Sequence, residues 1–230
     1  MFFVSFPFDL WIKSSFYLYL AETLARLIFV VFLLMYNHFK KLVTIPICHF
    51  KKIDLLLLPL LPILFCNFYY LLEMRNGFQI TLDETFFIQI FFQISVALSE
   101  ELLFRSLIQN CLSFKKTLTR IFVSSLIFAL FHLTYFFSSF NLISLFIPLY
   151  TFGLGFLLGF IYEWSEKNFL YICGYHFLFN LINQVLYTYM LNAGENYLFY
   201  VNAVCVGAFG AVYLIFLLFL SKRVNKSFQR

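Results

Sequence analysis

Residues 85–112 read TFFIQIFFQISVALSEELLFRSLIQNCL, and this stretch decides the class of the fold. A helix needs about 20 mostly apolar residues to cross the hydrocarbon of a bilayer, and this run exceeds that length. Its formal charges are confined to Glu100, Glu101 and Arg105. Lipid cannot solvate such groups, so they must face protein or water inside a bundle of helices.

Working outward, the same length test picks out 14–36, 53–72, 120–137, 142–163, 169–191 and 197–220. The expected fold is therefore all-α, a polytopic integral membrane bundle of about seven transmembrane helices. Composition points the same way: 63% of residues are hydrophobic, 12% are charged and 36 are Phe. With a mean hydropathy of +0.88, the chain is more apolar than a globular surface allows. The run from Ser14 is longer than the roughly 7–15 apolar residues of a signal peptide and no small-residue cleavage site follows, so it reads as a helix. Ahead of it, Phe2, Phe3, Phe6, Phe8 and Trp11 around Pro7 read as an aromatic segment at the membrane interface. Pro59 and Pro62 should kink the second span, and Gly153, Gly155 and Gly159 should give the fifth a small-residue face for close packing.

The net charge of +5 does not indicate nucleic acid, because the basic residues sit in short loops and form no stripe with interleaved aromatics. They indicate orientation instead. With the N-terminus outside, the cytoplasmic side receives Lys40, Lys41, Lys51, Lys52, Lys115, Lys116, Arg120, Lys167, Lys222, Arg223, Lys226 and Arg230. The outer side receives Lys13 and Arg75, so the positive-inside rule favours N-out and C-in. The cysteines Cys48, Cys66, Cys111, Cys173 and Cys205 have neither a disulfide nor a zinc spacing and read as apolar fillers.

Within the third span, Glu101 and Arg105 stand four residues apart with the acid first, the favourable order for a helical ion pair. Glu100 points about 100° away around the helix, which leaves it without a partner there. His38 and His49 fall in the first polar loop, whereas His132 and His176 fall inside spans. Asn180 lies one turn beyond His176 on the same face, and Asn183 continues it. Depth can be gauged at a rise of about 1.5 Å per residue from the flanking basic residues: Glu100 lies about 22 Å in, His132 about 18 Å, and His176 and Asn180 about 14 and 20 Å. Three helices thus present an acid, two imidazoles and an amide at one level.

A Glu beside two His can serve hydrolysis by either of two routes. The acid deprotonates water directly, or Glu100, His132 and His176 hold a divalent metal such as zinc whose bound water is the nucleophile. Asn is an unusual zinc ligand, so the metal stays open and no cofactor is certain. Asn180 or a protonated His would serve the oxyanion. Glu22 and Arg26 repeat the acid-to-base spacing and read as a local ion pair facing the bundle, with substrate recognition the alternative; Glu163 and Glu166 around Trp164 read as solvated.

Taken together, Glu100-Glu101 with Arg105 looks like E-E-x-x-x-R, Phe128 with His132 like F-x-x-x-H, and His176 with Asn180 like H-x-x-x-N. These signatures, in this order, resemble those of the CAAX-protease and bacteriocin-processing (CPBP, Abi) intramembrane proteases, over roughly residues 85–185. The resemblance divides the chain into 1–84, an interfacial segment with two spans; 85–191, a CPBP-like core of four spans; and 192–230, a last span with a basic cytoplasmic tail. It implies an eight-helix or similar bundle in the cell membrane that cleaves a lipidated or membrane-associated protein or peptide. It also implies Glu100 as general base, His132 and His176 positioning water or metal, Asn180 stabilising the oxyanion, and Glu101, Arg105 and Phe128 bracing the site. Three other classes use buried ionisable groups: a transporter, which would favour an internal repeat; a haem protein ligated by His132 and His176; and a family member acting as a membrane chaperone or immunity factor without catalysis. The oligomeric state has no signature in the sequence.

Overall fold

The computed structural model describes residues 14–45, 83–133 and 146–181. Among them the chain is helical, without strands. Helix α1 spans Ser15–Lys40; α2 spans Glu84–Glu101 and runs on as a π-helical segment, Leu102–Gln109; α3 spans Thr117–Phe131, α4 Phe146–Trp164 and α5 Phe169–Asn180. The expected spans 53–72 and 197–220, with Pro59, Pro62, His49, Asn183 and the aromatic N-terminal segment, lie outside the described residues. Helices Ser15–Lys40 and Glu84–Gln109 are each long and apolar enough to cross a membrane.

Local chemistry fixes the helix ends. Asp83 caps α2 by accepting the Phe86 N–H on Oδ1 at 2.8 Å, and Asn168 caps α5 by accepting the Tyr171 N–H at 3.1 Å. Lys41 stops α1 in the left-handed region, at φ 50°. Glu166 and Lys167 take the same conformation between α4 and α5, where the Lys167 N–H donates to the Tyr162 carbonyl at 2.8 Å. Because α1 continues to Lys40, His38 belongs to its exposed last turn and not to a loop.

Helix α2 is central. It packs against α1 on one side and α5 on another, while its π-helical continuation meets α1, α3 and α4. Accordingly 67% of its apolar window is buried, against 22% for α1, whose Leu24, Ile28, Val31 and Phe32 point outward as lipid-facing residues do. A second core joins α4 to α5 through Leu158, Ile161 and Tyr162 on one side and Ile172 and Phe179 on the other.

The glycine face of α4 is narrower than its sequence suggests. Among the described residues a Cβ at Gly153 would meet nothing within 4 Å. At Gly155 it would lie 2.9 Å from the Phe128 ring and 3.2 Å from Arg105 Nη2; at Gly159, 2.8 Å from Gln109 Oε1 and 3.2 Å from Arg105 Nη1. The spacing of four residues thus seats the Arg105 guanidinium against the α4 backbone, and Gly153 takes no part. Gly159→Val is expected to cost about 1–3 kcal/mol by overpacking, read as a lower melting temperature in detergent, while Gly153→Ala is neutral or slightly stabilising.

Candidate active site

Two adjacent carboxylates on α2 meet different surroundings. Glu101 is fully enclosed. Its Oε1 accepts a hydrogen bond from His176 Nδ1 of α5 at 2.7 Å, and its Oε2 lies 3.3 Å from Arg105 Nε. The pair that the four-residue spacing predicts therefore forms, with both side chains at 0% exposure. Arg105 Nη1 donates to Ser124 Oγ at 3.2 Å, Ser124 in turn donates to the Phe104 carbonyl at 2.8 Å, and the guanidinium lies 5.4 Å from the Phe128 ring centroid. Ser124, Phe128 and His132 are spaced by four residues, so one stripe of α3 and its C-cap faces this cluster. Only Ser124 escaped the sequence reading, although the same period reaches it. Ser124→Ala leaves Nη1 of a buried cation short of an acceptor and is expected to cost about 1–3 kcal/mol, measurable by thermal unfolding.

Glu100 is held more loosely. Its Oε1 lies 3.8 Å from Arg26 Nη1 of α1 and its Oε2 lies 4.0 Å from His176 Nε2. Both separations exceed a hydrogen bond. Glu100 lacks a cation within its own helix, as its angular offset predicts, but α1 supplies one. This corrects the reading of Arg26 as purely local: its Nη1 also donates to Ser99 Oγ at 3.3 Å, and its guanidinium lies 5.4 Å from the Phe92 ring centroid. Glu22 and Arg26 both face the bundle, at 5% and 1% exposure.

His132 is the C-cap of α3, at the end of the helix and not within it. Its Nδ1 lies 2.8 Å from the Phe128 carbonyl, which can only accept, so Nδ1 carries the proton. In the neutral ring Nε2 is then the acceptor nitrogen. The ring stands edge-on to Phe128, with centroids 4.6 Å apart. His176 follows the same logic: Nδ1–H points to Glu101 and Nε2 towards Glu100. Asn180 is buried at 2% exposure, one turn beyond His176 on α5.

Imidazoles with Nδ1 tied back and Nε2 presented have the outer-shell arrangement of metal ligands. Yet among the described residues no group of three His, Cys, Asp or Glu side chains lies close enough to hold an ion, so Glu100, His132 and His176 do not form a metal cage as they stand.

At the other end of the same helices lies a separate polar cluster. Gln109 Nε2 donates to the Gly159 carbonyl at 3.2 Å and to Glu163 Oε1 at 3.1 Å, and Arg120 Nη2 lies 3.6 Å from that oxygen. Glu163 is thus an internal tie between α2, α3 and α4 and not the solvated acid that its loop position suggests, whereas Glu166 is exposed. Of the cysteines, Cys173 is buried as a filler would be, with Sγ 3.8 Å from the Ala97 carbonyl, and Cys111 is exposed.

Comparison with known proteins adds an independent line. Residues 83–182 match the family model described as Rce1-like, type II CAAX prenyl endopeptidase. No curated protein and no solved structure matches the chain. The matched segment begins at the cap of α2 and takes in α3, α4 and α5, so it contains Glu100, Glu101, Arg105, His132, His176 and Asn180; α1 lies outside it. Residues 83–182 are thus similar to the Rce1-like, type II CAAX prenyl endopeptidase family, consistent with the CPBP family that the three motifs resemble.

Proposed function

We propose that this chain is an intramembrane endopeptidase of the CAAX type, in which Glu100 takes the proton of the attacking water and Glu101 holds the site together. One observation supports this division of labour above all. Glu101 accepts a 2.7 Å hydrogen bond from His176 on Oε1 and pairs through Oε2 with Arg105 at 3.3 Å, whereas Arg26 and His176 stand off from Glu100 at 3.8 and 4.0 Å. A general base must be reachable by water, and Glu101 is fully enclosed whereas Glu100 keeps 6% exposure.

In the step we propose, water adds through oxygen to the scissile carbonyl carbon while its proton passes to Glu100. His132 and His176, each turned by its Nδ1 contact to present Nε2, orient that water. The Asn180 amide donates to the oxyanion. The intermediate collapses by breaking the carbon–nitrogen bond, and the proton on Glu100 goes to the departing amine. The substrate is a lipidated or otherwise membrane-associated protein or peptide reached through the bilayer. This route needs no metal, and activity is expected to survive exhaustive chelation, measured as cleavage before and after treatment with 1,10-phenanthroline; abolition restored by added zinc would assign the ion a part.

The proposal extends to topology: a multi-pass protein of the cell membrane with its N-terminus outside, from the distribution of Lys and Arg. To test the reaction, the purified full chain in bicelles is given a fluorogenic farnesylated CAAX-type peptide in water enriched in oxygen-18. The new carboxyl group is expected to carry the label. An intact peptide, bound but uncleaved, would instead favour a family member acting by binding alone.

A further inference from the structure

Arg26 belongs to α1, which precedes the family-matched segment. That helix exposes most of its surface, yet the Arg26 side chain is only 1% exposed. A guanidinium so placed needs specific partners, and α2 provides several. The Phe92 ring lies 5.4 Å away, Ser99 Oγ accepts from Nη1 at 3.3 Å, and the same nitrogen faces Glu100 Oε1 at 3.8 Å. Ser99 is itself fixed by donating to the Val96 carbonyl at 3.0 Å. Two turns of α2 therefore form a slot that places Nη1 of Arg26 beside one oxygen of Glu100.

The charges in the cluster assign that fork a purpose. Glu100 and Glu101 face two guanidiniums, and Arg105 is committed to Glu101 by its 3.3 Å contact, its bond to Ser124 and its seat on α4. Among the described residues Arg26 is the guanidinium that faces Glu100. It addresses Oε1, whereas His176 faces Oε2. Building on the protease reading above, we infer that Arg26 is a positioning residue: it anchors Oε1 of Glu100 so that Oε2 is the atom that receives the proton, and α1 is part of the catalytic unit. The family-matched segment would then be an incomplete enzyme by itself.

The test uses the full chain in bicelles with the farnesylated CAAX-type peptide. Arg26→Gln is expected to lower kcat by about 10- to 100-fold with KM within about twofold of wild type, the pattern of an interaction used only in the transition state. Arg26→Lys should recover much of the rate. Should Arg26→Gln fail to accumulate, Ser99→Ala removes the fork's hydrogen-bond partner alone and should show a smaller loss, again in kcat. An unchanged kcat in these variants beside an active wild type overturns the inference. The second arm does not depend on catalysis: melting temperatures of Arg26→Gln, Glu100→Gln and the double variant should be non-additive, the double losing less than the sum. Should wild type not cleave the peptide, the protease reading fails, and the melting cycle still decides whether Arg26 is coupled to Glu100; strict additivity overturns the coupling.

Discussion

Glu100→Gln is expected to lower kcat by about 10³-fold or more, within the range that a general base contributes, while the protein still inserts and melts near the wild-type temperature. The replacement keeps the size of the side chain and an acceptor oxygen for Arg26, but an amide cannot take a proton from water. Little else should change, because the ion-pair contacts of Glu100 among the described residues are long, at 3.8 and 4.0 Å. Rates on the farnesylated peptide and melting curves from one preparation give both numbers. A variant that turns over like wild type would reject Glu100 as the base.

Glu101→Leu should fail in the opposite manner, as a folding defect first and a loss of activity second. The substitution strands the Arg105 guanidinium at 0% exposure and removes the acceptor of the 2.7 Å bond from His176. Breaking a buried pair from one side costs about 3–5 kcal/mol, a large part of the stability of an ordinary domain. The variant should accumulate poorly and melt early in detergent. Glu101→Leu with Arg105→Met should regain much of that stability, because no charge is left unpaired. Even then the double variant should remain a poor enzyme, since His176 has lost the partner that fixes its tautomer. Wild-type accumulation of Glu101→Leu alone would remove the bracing role.

The local parts of this site were legible before any coordinates. The Glu101–Arg105 contact lies four residues apart on one helix, and Phe128 with His132 and His176 with Asn180 repeat that period, so helical geometry alone places each pair on one face. What eluded the sequence was set by how helices turn against one another. Arg26 and Ser99 are 73 positions apart, and nothing in the α1 sequence fixes whether Arg26 serves Glu22 or reaches α2. The π-helical segment 102–109 changes the register of the stretch carrying Arg105, an adjustment that a 3.6-residue period cannot anticipate. Gly153, Gly155 and Gly159 look alike as letters, yet among the described residues only the last two meet a neighbouring helix. Glu163 follows an apolar run like a loop acid, but Gln109 and Arg120 come to it from two other helices.

In the proposed enzyme two neighbouring acids divide the work, Glu100 meeting water and Glu101 meeting protein. The most direct measurement is an experimental structure of the full chain with an uncleavable analogue of the farnesylated peptide, at a resolution that shows ordered water. A water is expected about 3 Å from a Glu100 oxygen and in line with the scissile carbonyl carbon, with His176 still bonded to Glu101. A scissile carbonyl remote from Glu100, or a water held by Glu101 in its place, would contradict it.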